Sequence, residues 1–504
     1  MNKSKFKEQI LELIRRTSAF LPQDVEQVLE LKKKLETPGS KADFALDLVM
    51  QNIGLAKKRS LPICQDTGLL NFYVKCPIGF DQISLQQAME EAVAEATRLG
   101  YLRQNSVDSL TGKNSGTNLG PGSPAFKFVQ THDDQLEIRL VQKGGGCENM
   151  SAQYKLPGEF GGKKFGRDLE GVRACILDAV FQAQGKGCSP GFLGVCIGGD
   201  RATGYDWAKY QFLREIDDVN PVPELAQLEA RILQEANELQ IGPMGFGGQM
   251  TVGSCKIGLR NRLPACFFVT IAYMCWAFRR RGVILTQNGE VVQWLYQAPH
   301  EFDKPVEFPD TFQIPAGDIK VLQTPLTEQT IRSLKVGDIV ILNGTIFTGR
   351  DAVHKYLSEG GELDPIKNGV IYHCGPVVLK EKGEYKTMAA GPTTSIREEP
   401  YQGDIIARFG VKAVIGKGGM GAKTLNACQQ HGAVYLHAIG GAAQIYAQCV
   451  KKIPHVYLEQ FGSPEAVWQM EVEGFPAVVT MDAHGNSLHK DIQELSQAKL
   501  KSLL

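Results

Sequence analysis

Three cysteines of this chain lie in short segments where a thiolate could bind a metal. Cys64 begins the run Cys-Gln-Asp-Thr-Gly, Cys188 precedes a Ser-Pro-Gly turn, and Cys275 lies near the end of a long apolar run. The 12 cysteines are nowhere closer than eight positions, so the sequence contains no C-x-x-C pair. This excludes zinc ribbons, zinc fingers and thioredoxin-like redox motifs. Taken alone, each cysteine fits a buried structural residue better than a metal ligand.

Two glycine-rich segments could bind an anion through their backbone amides. Residues 143–146 read Lys-Gly-Gly-Gly, and residues 416–421 formally match G-x-G-x-x-G. A dinucleotide fold would place an acidic residue about 20 positions after that motif, whereas residues 417–458 contain none. The sequence therefore disfavours a nicotinamide oxidoreductase and indicates an anion site that includes Lys417. A flexible loop and a plain tight turn remain the alternatives for these two segments.

A third segment, residues 391–397, combines three hydroxyl groups with a guanidinium. It reads Gly-Pro-Thr-Thr-Ser-Ile-Arg. A helix that begins here would present hydroxyl and N–H groups at its N-terminus, where negative charge is favoured. The pattern indicates another anion-binding segment, with a simple helix N-cap as the alternative.

Taken together and in this order, these segments resemble the signature motifs of class I fumarate hydratases and the related L-tartrate dehydratases. The resemblance extends over nearly the whole chain. It implies an iron–sulfur hydro-lyase that reversibly hydrates fumarate to L-malate, as in the tricarboxylic acid cycle. Dehydration of L-tartrate and hydration of mesaconate, by the same mechanism, are the alternatives. Many relatives have the α and β parts as separate subunits, and here the two parts are fused in one chain.

The resemblance implies a [4Fe–4S] cluster bound by three thiolates, those of Cys64, Cys188 and Cys275. In the family the second ligand precedes an Ile-Gly-Gly element by about nine positions, which selects Cys188 over the nearby Cys196. Cys255 is a weaker rival to Cys275, and Cys147 stands where many relatives have serine. Iron–sulfur clusters normally take four protein thiolates, so three leave one iron with an open position. That iron can act as a Lewis acid, and it is easily lost on oxidation.

The resemblance also assigns the remaining site residues. Asp66 matches the acid that protonates the departing hydroxyl of malate, and Thr393 matches the group that takes the proton from the adjacent carbon. The expected substrate-binding residues are Gln65, Arg103, Gly146, Arg350, Thr394, Arg397 and Lys417. His437 is a further candidate, with a buried structural histidine as the alternative. A non-catalytic iron–sulfur sensor or electron carrier would need neither Asp66 nor Thr393.

Composition limits the partners that such a site can serve. Lys plus Arg and Asp plus Glu number 55 each, so the formal net charge is zero and a broad nucleic-acid-binding surface is not expected. A dicarboxylate must therefore be bound by a local cluster of cations. The apolar run 263–278 is shorter than the roughly 20 residues of a membrane span, so we interpret it as a buried helix that continues to residue 281. The N-terminus lacks a secretory pattern, and we expect a cytoplasmic protein, with a homodimer implied by the resemblance.

The elements that position these residues predict a multi-domain α/β (α+β) fold. We expect a helix-rich, cluster-binding N-terminal domain over 1–283, a proline-containing linker or arm over 284–318, and a smaller α/β substrate-binding domain over 319–504, with the active site between the domains. The predicted helical regions are 5–36, 43–56, 84–100, 165–184 and 205–238. Residues 112–162 are predicted to be rich in loops. The predicted strands in the C-terminal domain are 338–342, 369–372 and 411–415.

Overall fold

Helices and strands are mixed along the whole chain. The computed structural model describes residues 2–298, 301–302, 305–315 and 317–504. The N-terminal part, residues 2–295, has the helices α1 (Lys3–Ala19), α2 (Gln23–Lys33), α3 (Lys41–Arg59), α4 (Gln82–Arg98), α5 (Gly145–Asn149), α6 (Leu169–Ala183), α7 (Arg201–Tyr210) and α8 (Pro223–Glu238). Its strands are β1 (Leu69–Pro77), β2 (Ala125–Thr131), β3 (Leu136–Lys143), β4 (Ala152–Lys155), β5 (Gly158–Phe160), β6 (Lys163–Phe165), β7 (Gly191–Gly198), β8 (Val252–Arg260), β9 (Phe268–Met274), β10 (Arg279–Leu285) and β11 (Val291–Leu295).

The C-terminal part, residues 319–504, is an α/β unit. Its helices are α9 (Glu328–Ser333), α10 (Asp351–Ser358), α11 (Glu399–Phe409), α12 (Ala422–His431), α13 (Ala443–Cys449) and α14 (Leu488–Leu503). Its strands are β12 (Ile319–Gln323), β13 (Ile339–Thr348), β14 (Val370–Tyr372), β15 (Val377–Glu381), β16 (Glu384–Ala389), β17 (Ala413–Gly416), β18 (Val434–His437), β19 (Val450–Tyr457) and β20 (Val467–Met481). This mixture of helix and sheet confirms the predicted α/β class.

Two sheets organise the N-terminal part. One has the strand order β11-β10-β3-β1-β2, and the other has the order β4-β9-β7-β8. Every residue of β7 and β9 is buried, because helices or other strands cover both faces, and such strands read as continuous apolar runs. The segments before β1, after β3, before β7 and after β9 contain the cysteines and the acidic residue singled out in the sequence.

The largest sheet of the C-terminal part closes on itself. Its strand order is β12-β13-β14-β17-β18-β20-β19, and β13 also pairs with β20, so five of its strands form a ring. The pairs β13–β14, β14–β17 and β17–β18 are parallel. The carboxyl ends of these strands therefore share one rim, which is where α/β sheets usually bind ligands.

The structure corrects the interpretation of residues 263–281 as an apolar helix. The segment contains the strand β9 and the start of β10. A short continuous apolar run fits a strand buried on both faces as well as it fits a buried helix, and periodicity cannot separate the two. The three consecutive arginines, residues 279–281, are consequently the first residues of a buried strand and not the end of a helix.

Two further expectations about local structure were wrong. The glycine-rich region 112–162 contains β2, β3, α5, β4 and β5, because its turns connect short strands. The region 205–238 is interrupted by residues 214–222 between α7 and α8. Within the predicted linker, β11 extends the first N-terminal sheet. The proposed domain boundaries themselves stay a prediction.

Helix α3 connects the two parts of the chain. It begins where the Ser40 side chain accepts a hydrogen bond from the Asp43 amide (3.2 Å), a standard N-cap. Its buried Asn52 donates to the Gly441 carbonyl oxygen (3.4 Å) and accepts from the Gln444 amide (2.8 Å). At the other end of the C-terminal part, α14 packs on α6, where Arg173 donates to the Leu503 carbonyl oxygen (2.7 Å). One apolar core runs through both parts.

The described part of the chain contains no helix that is both long enough and apolar enough to cross a membrane.

Candidate active site

A cavity of about 400 Å³ lies where loops of the N-terminal part meet the rim of the C-terminal ring. It is lined by every residue that the sequence predicted to be catalytic or substrate-binding, namely Gln65, Asp66, Arg103, Gly146, Arg350, Thr393, Thr394, Arg397 and Lys417. A larger cavity of about 900 Å³ beside β1 and α7 is lined by groups such as Tyr73, Trp207 and Leu263 and contains none of these residues. The smaller cavity is the candidate site because it gathers a carboxylate, hydroxyls and several cations.

Asp66 is held as a carboxylate by donors from two loops. The Gly68 amide donates to Oδ1 (3.2 Å), and the Gly145 amide donates to Oδ2 (2.9 Å). Arg103 Nη2 lies 3.4 Å from Oδ1. Burial raises the pKa of Asp66, but Arg103, Lys417 and neighbouring arginines outweigh it and lower the pKa to about 2. The group is therefore ionised at neutral pH.

Arg103 links the two parts of the chain at the edge of the cavity. It follows α4, and its buried side chain donates through Nε to Asn105 Oδ1 (2.6 Å). Through Nη1 it donates to the Gly375 carbonyl oxygen in the C-terminal part (3.0 Å). The guanidinium is thus fixed between Asp66 and a loop that follows β14.

Thr393 is held by backbone hydrogen bonds between two strand ends. Its amide donates to the His373 carbonyl oxygen (2.7 Å), and its own carbonyl oxygen accepts from the Lys417 amide (3.2 Å). Its buried Oγ1 has no hydrogen-bond partner among the described residues. Because buried hydroxyls are normally hydrogen-bonded, this atom is available to a bound ligand.

Behind Thr393 and Arg350, two buried histidines share one glutamine. His354 Nδ1 lies 2.9 Å from the Arg350 carbonyl oxygen, so this ring nitrogen carries the proton. Gln402 Oε1 lies 2.9 Å from His354 Nε2 and 2.8 Å from His373 Nε2, and Gln402 Nε2 has no partner among the described residues. Placing the amide nitrogen there lets it donate to both rings and leaves no N–H of Gln402 unpaired. Burial lowers the pKa of both histidines, which are therefore neutral.

Three cations face the cavity from the C-terminal rim. Arg350 Nη1 lies 3.0 Å from Glu465 Oε1, and Arg397 Nη2 lies 3.3 Å from Asp351 Oδ2. Lys417 Nζ donates to Cys188 Sγ (2.9 Å). Burial lowers the pKa of Lys417, but the nearby sulfurs of Cys188 and Cys64 outweigh this effect and raise the pKa above its usual value. The lysine therefore stays charged.

The three predicted ligand thiols lie beneath the cavity and are all buried. Cys64 Sγ lies 3.4 Å from Gln65 Oε1, and Trp276, next to Cys275, donates through its amide to the Cys188 carbonyl oxygen (3.3 Å). Cys188 has a φ of +55°, a left-handed conformation that is costly for a residue with a side chain. A Cβ at Gly440 would overlap Cys188 Sγ, so only glycine leaves room for the thiol there.

The other cysteines and His437 are placed differently. Cys255 belongs to another apolar core, and Cys196 lies inside β7. Cys147 is buried beside Cys275, and a hydrogen bond between the two sulfurs lowers the pKa of Cys147. His437 does not line the cavity: its Nδ1 lies 3.0 Å from His489 Nε2, which fits a buried structural histidine.

Comparison with known proteins identifies the family. A family model described as fumarate hydratase matches residues 7–284, and one described as fumarase C-terminus matches residues 289–492. The chain belongs to the class I fumarate hydratase family. Members of this family are hydro-lyases, and the chain is an enzyme of that class.

Full-length and partial relatives support the membership in this family. A Geobacillus stearothermophilus protein named as a class I fumarate hydratase is 53% identical over 98% of each chain. Two Methanocaldococcus jannaschii proteins named as L(+)-tartrate dehydratase subunits are also similar. The beta subunit is 40% identical over 36% of this chain and 95% of its own length, and the alpha subunit is 33% identical over 55% and 96%.

The three predicted ligand thiols of this chain are suited to an iron–sulfur cluster. Within the described ranges, no group of three or more His, Cys, Asp or Glu side chains could hold a single metal ion. A multi-iron cluster is different, because its thiolates bind separate irons and lie further apart. Three buried thiols, the Lys417 ammonium beside Cys188, and the space kept free by Gly440 fit such a group.

Several residues of the site were missed in the sequence. Asn71, Asn105, Glu148 and Lys209 line the cavity. Lys143 pairs with Glu148, which also lies 2.8 Å from Lys209. Lys143 could have been found because it begins the glycine-rich run. Lys209 lies in helix α7, Asn71 in strand β1 and Asn105 in a loop, and none of them carries a signal of its own in the sequence.

Proposed function

We propose that the chain catalyses the reversible hydration of fumarate to L-malate. The observation that supports this is the composition of one cavity: the ionised Asp66 and the unpartnered hydroxyl of Thr393 line it together with cations from both parts of the chain. Fumarate hydration needs a group that takes a proton from water, a group that exchanges a proton with the adjacent carbon, and positive charge near the two carboxylates. This cavity provides all three.

The proposal includes a [4Fe–4S] cluster held by Cys64, Cys188 and Cys275. When bound, the cluster supplies a Lewis acid with an open position, since the protein provides three thiolates and not four. The Lys417 ammonium beside Cys188 offsets part of the negative charge of the thiolates. The backbone conformation of Cys188 and the glycine at 440 fix the direction of its thiol.

The side chains then divide the work of proton transfer and binding. Asp66 accepts a proton from the water whose oxygen bonds to one alkene carbon, and the amides of Gly68 and Gly145 fix its two oxygens. In the hydration direction Thr393 Oγ1 gives a proton to the neighbouring carbon, and in the dehydration direction it takes that proton. Arg350 and Arg397 bind the carboxylates, where a guanidinium can form paired hydrogen bonds. Gln65 supports this arrangement, since it donates to the Pro392 carbonyl oxygen (2.9 Å).

An anaerobic hydration assay with Asp66→Asn tests the proposal. The reconstituted wild-type chain should consume fumarate, measured by the loss of its ultraviolet absorbance. Asp66→Asn should retain iron and lose roughly 10²- to 10⁴-fold in kcat, the usual contribution of a positioned acid–base group. Asp206→Asn, a change to an exposed carboxylate paired with Lys127, serves as the matched control. An Asp66→Asn enzyme with wild-type turnover, or a wild-type chain that binds a cluster and leaves fumarate unchanged, would refute the proposal.

The same assay on L-tartrate and mesaconate separates the alternative substrates. The similarity to proteins named as tartrate dehydratase subunits gives tartrate a place in the comparison. All three diacids carry two carboxylates for the same cations, so the larger kcat/KM identifies the preferred one.

Oxygen sensitivity, a homodimer and a cytoplasmic location complete the proposal. The described cysteines are all free thiols, which supports a reducing compartment. Loss of activity on brief exposure to air, and a molar mass near twice 55.3 kDa by light scattering, are the expected results.

A further inference from the structure

The side chain of Arg279 is buried next to the proposed cluster site and is only partly hydrogen-bonded. Arg279 is the first residue of β10 and is 1% exposed. Its Nη2 donates to the Asp66 carbonyl oxygen (2.7 Å). Its Nε and Nη1 have no hydrogen-bond partner in the part of the chain that the structure describes. Two nitrogens of a charged group, which carry three N–H bonds, are therefore buried without an acceptor among the described residues.

Among the described residues, the next two arginines of the same strand also leave nitrogens without a hydrogen-bond partner, Nε and Nη1 in Arg280 and Nε in Arg281, but each of them has a carboxylate partner. Arg280 pairs with Asp24, and Arg281 pairs with Glu301 (2.8 Å). Successive side chains of a strand point to opposite faces, so Arg280 lies on the face away from Arg279. Among the described residues, Arg279 has no carboxylate within ion-pair distance of its own. A buried charge without a partner is strongly disfavoured, which indicates that a negative group belongs beside it.

The nearest groups that can become negative are a thiol and a carboxylate. Arg279 lies four positions after Cys275, and it donates to the carbonyl oxygen of Asp66, which is two positions after Cys64. The carboxylate of Asp66 is already in contact with Arg103 and two backbone amides. A cluster bound by Cys64 and Cys275 would therefore place negative charge close to Arg279.

We propose that Arg279 is a positioning residue of the iron–sulfur site: its Nη2 fixes the Asp66 backbone, and its Nε and Nη1, which have no partner among the described residues, donate hydrogen bonds to the sulfurs of the bound cluster. The inference rests on the proposed function and assigns a residue that the motifs did not include. Hydrogen bonds to cluster sulfurs and positive charge near them raise the reduction potential. Outer groups that hold ligands typically change metal retention by roughly 10- to 100-fold.

The test uses Arg279→Met and Arg279→Lys, with Arg280→Met as the matched control on the same strand. Each full-length variant is reconstituted anaerobically with iron and sulfide. Iron and sulfide per chain, the midpoint potential from a titration followed by electron paramagnetic resonance, and the rate of iron release to a chelator are measured. These readouts do not depend on turnover.

Arg279→Met should lower the midpoint potential and release iron roughly 10- to 100-fold faster than the wild type. Arg279→Lys, which keeps the charge and loses the planar donor group, should give an intermediate potential. Arg280→Met should lower the melting temperature, because Asp24 loses its partner, and leave the potential unchanged. If Arg279→Met does not fold, the shift in Arg279→Lys decides the question.

Wild-type potential and iron release in both Arg279 variants would overturn the inference while leaving the proposed function intact. A wild-type chain that takes up no iron and sulfide would overturn both. A potential that changes equally in Arg280→Met and Arg279→Met would show a general effect of losing buried charge, and would also overturn the specific role of Arg279.

Discussion

Glu398 is a buried carboxyl group whose protonation should control both stability and substrate binding. It lies beside Arg397 in the short turn before α11, its side chain is fully buried, and neither oxygen has a hydrogen-bond partner among the described residues. Burial, followed by the negative charge of Asp351, raises its pKa from 4.5 to about 8, against the opposing charges of Arg397 and Arg350. Glu398 is therefore mostly protonated at neutral pH.

The substitution Glu398→Gln keeps the shape of the protonated side chain and removes its ionisation. Because the pKa is higher in the folded chain, the stabilisation is fully present below pH 4.5 and is lost as the pH rises through about 8. Each pH unit between these values corresponds to about 1.36 kcal/mol, which gives an upper limit of about 5 kcal/mol. Structural relaxation around the ionised group reduces this, and we expect about 2–3 kcal/mol at pH 9.

Thermal unfolding of the wild type and of Glu398→Gln between pH 5 and 9 measures the effect. The two melting temperatures should agree near pH 5 and separate progressively above it, with the variant more stable. Glu359→Gln, a change to an exposed carboxylate near Lys355, is the control and should show no such separation. Melting temperatures of wild type and Glu398→Gln that stay parallel from pH 5 to 9 would refute the reasoning.

The same titration should appear in catalysis. A neutral Glu398 leaves the charge of Arg397 available to a substrate carboxylate, whereas an ionised one competes for it. KM for fumarate should therefore rise above pH 8 in the wild type, and this rise should be absent in Glu398→Gln.

Two other substitutions test parts of the site that depend on close packing. Gly440→Ala should reduce iron uptake at least roughly tenfold, because its Cβ would overlap Cys188 Sγ; unchanged iron content, with Gly120→Ala as control, would contradict the tight fit. Gln402→Leu should destabilise the chain by about 1–3 kcal/mol, since both histidine rings lose their shared partner. Nitrogen-15 NMR of labelled histidine should show protonated Nδ1 in His354 and His373, and an Nε2 proton on either ring would contradict the assigned hydrogen bonds.

The sequence motifs predicted anion-binding segments because the groups that could bind an anion lie close together in the sequence. The hydroxyl and glycine segments at 391–397 and 416–421 showed which backbone amides, hydroxyls and cations could bind an anion, and the structure brings both segments to one cavity with Asp66 and Arg103. Spacing alone did not predict that these two segments lie beside Asp66 and near Arg103, about 300 positions earlier in the chain. That prediction followed only from the resemblance to a family, and the roles of the individual residues still await the experiments above.

The remaining features depend on tertiary packing, which the sequence does not show. A run of apolar residues does not reveal that β9 is covered on both faces, so its helical interpretation failed. Arg279 is an arginine like its neighbours Arg280 and Arg281, but it differs from them in having no carboxylate partner among the described residues. The partners of Gln402 are His354 and His373, 48 and 29 positions away, on separate elements. No local pattern connects these three residues.

The covalent joining of the two parts has a consequence for assembly. Several hydrogen bonds join the two parts around the cavity, among them Arg103 to the Gly375 carbonyl oxygen (3.0 Å) and Trp276 Nε1 to the Gly440 carbonyl oxygen (2.7 Å). In relatives named as separate alpha and beta subunits, the matching parts belong to different chains. A single chain makes their encounter intramolecular, at a high effective concentration and in a fixed one-to-one ratio. Dilution therefore cannot separate the groups proposed to bind the cluster from those proposed to bind the diacid.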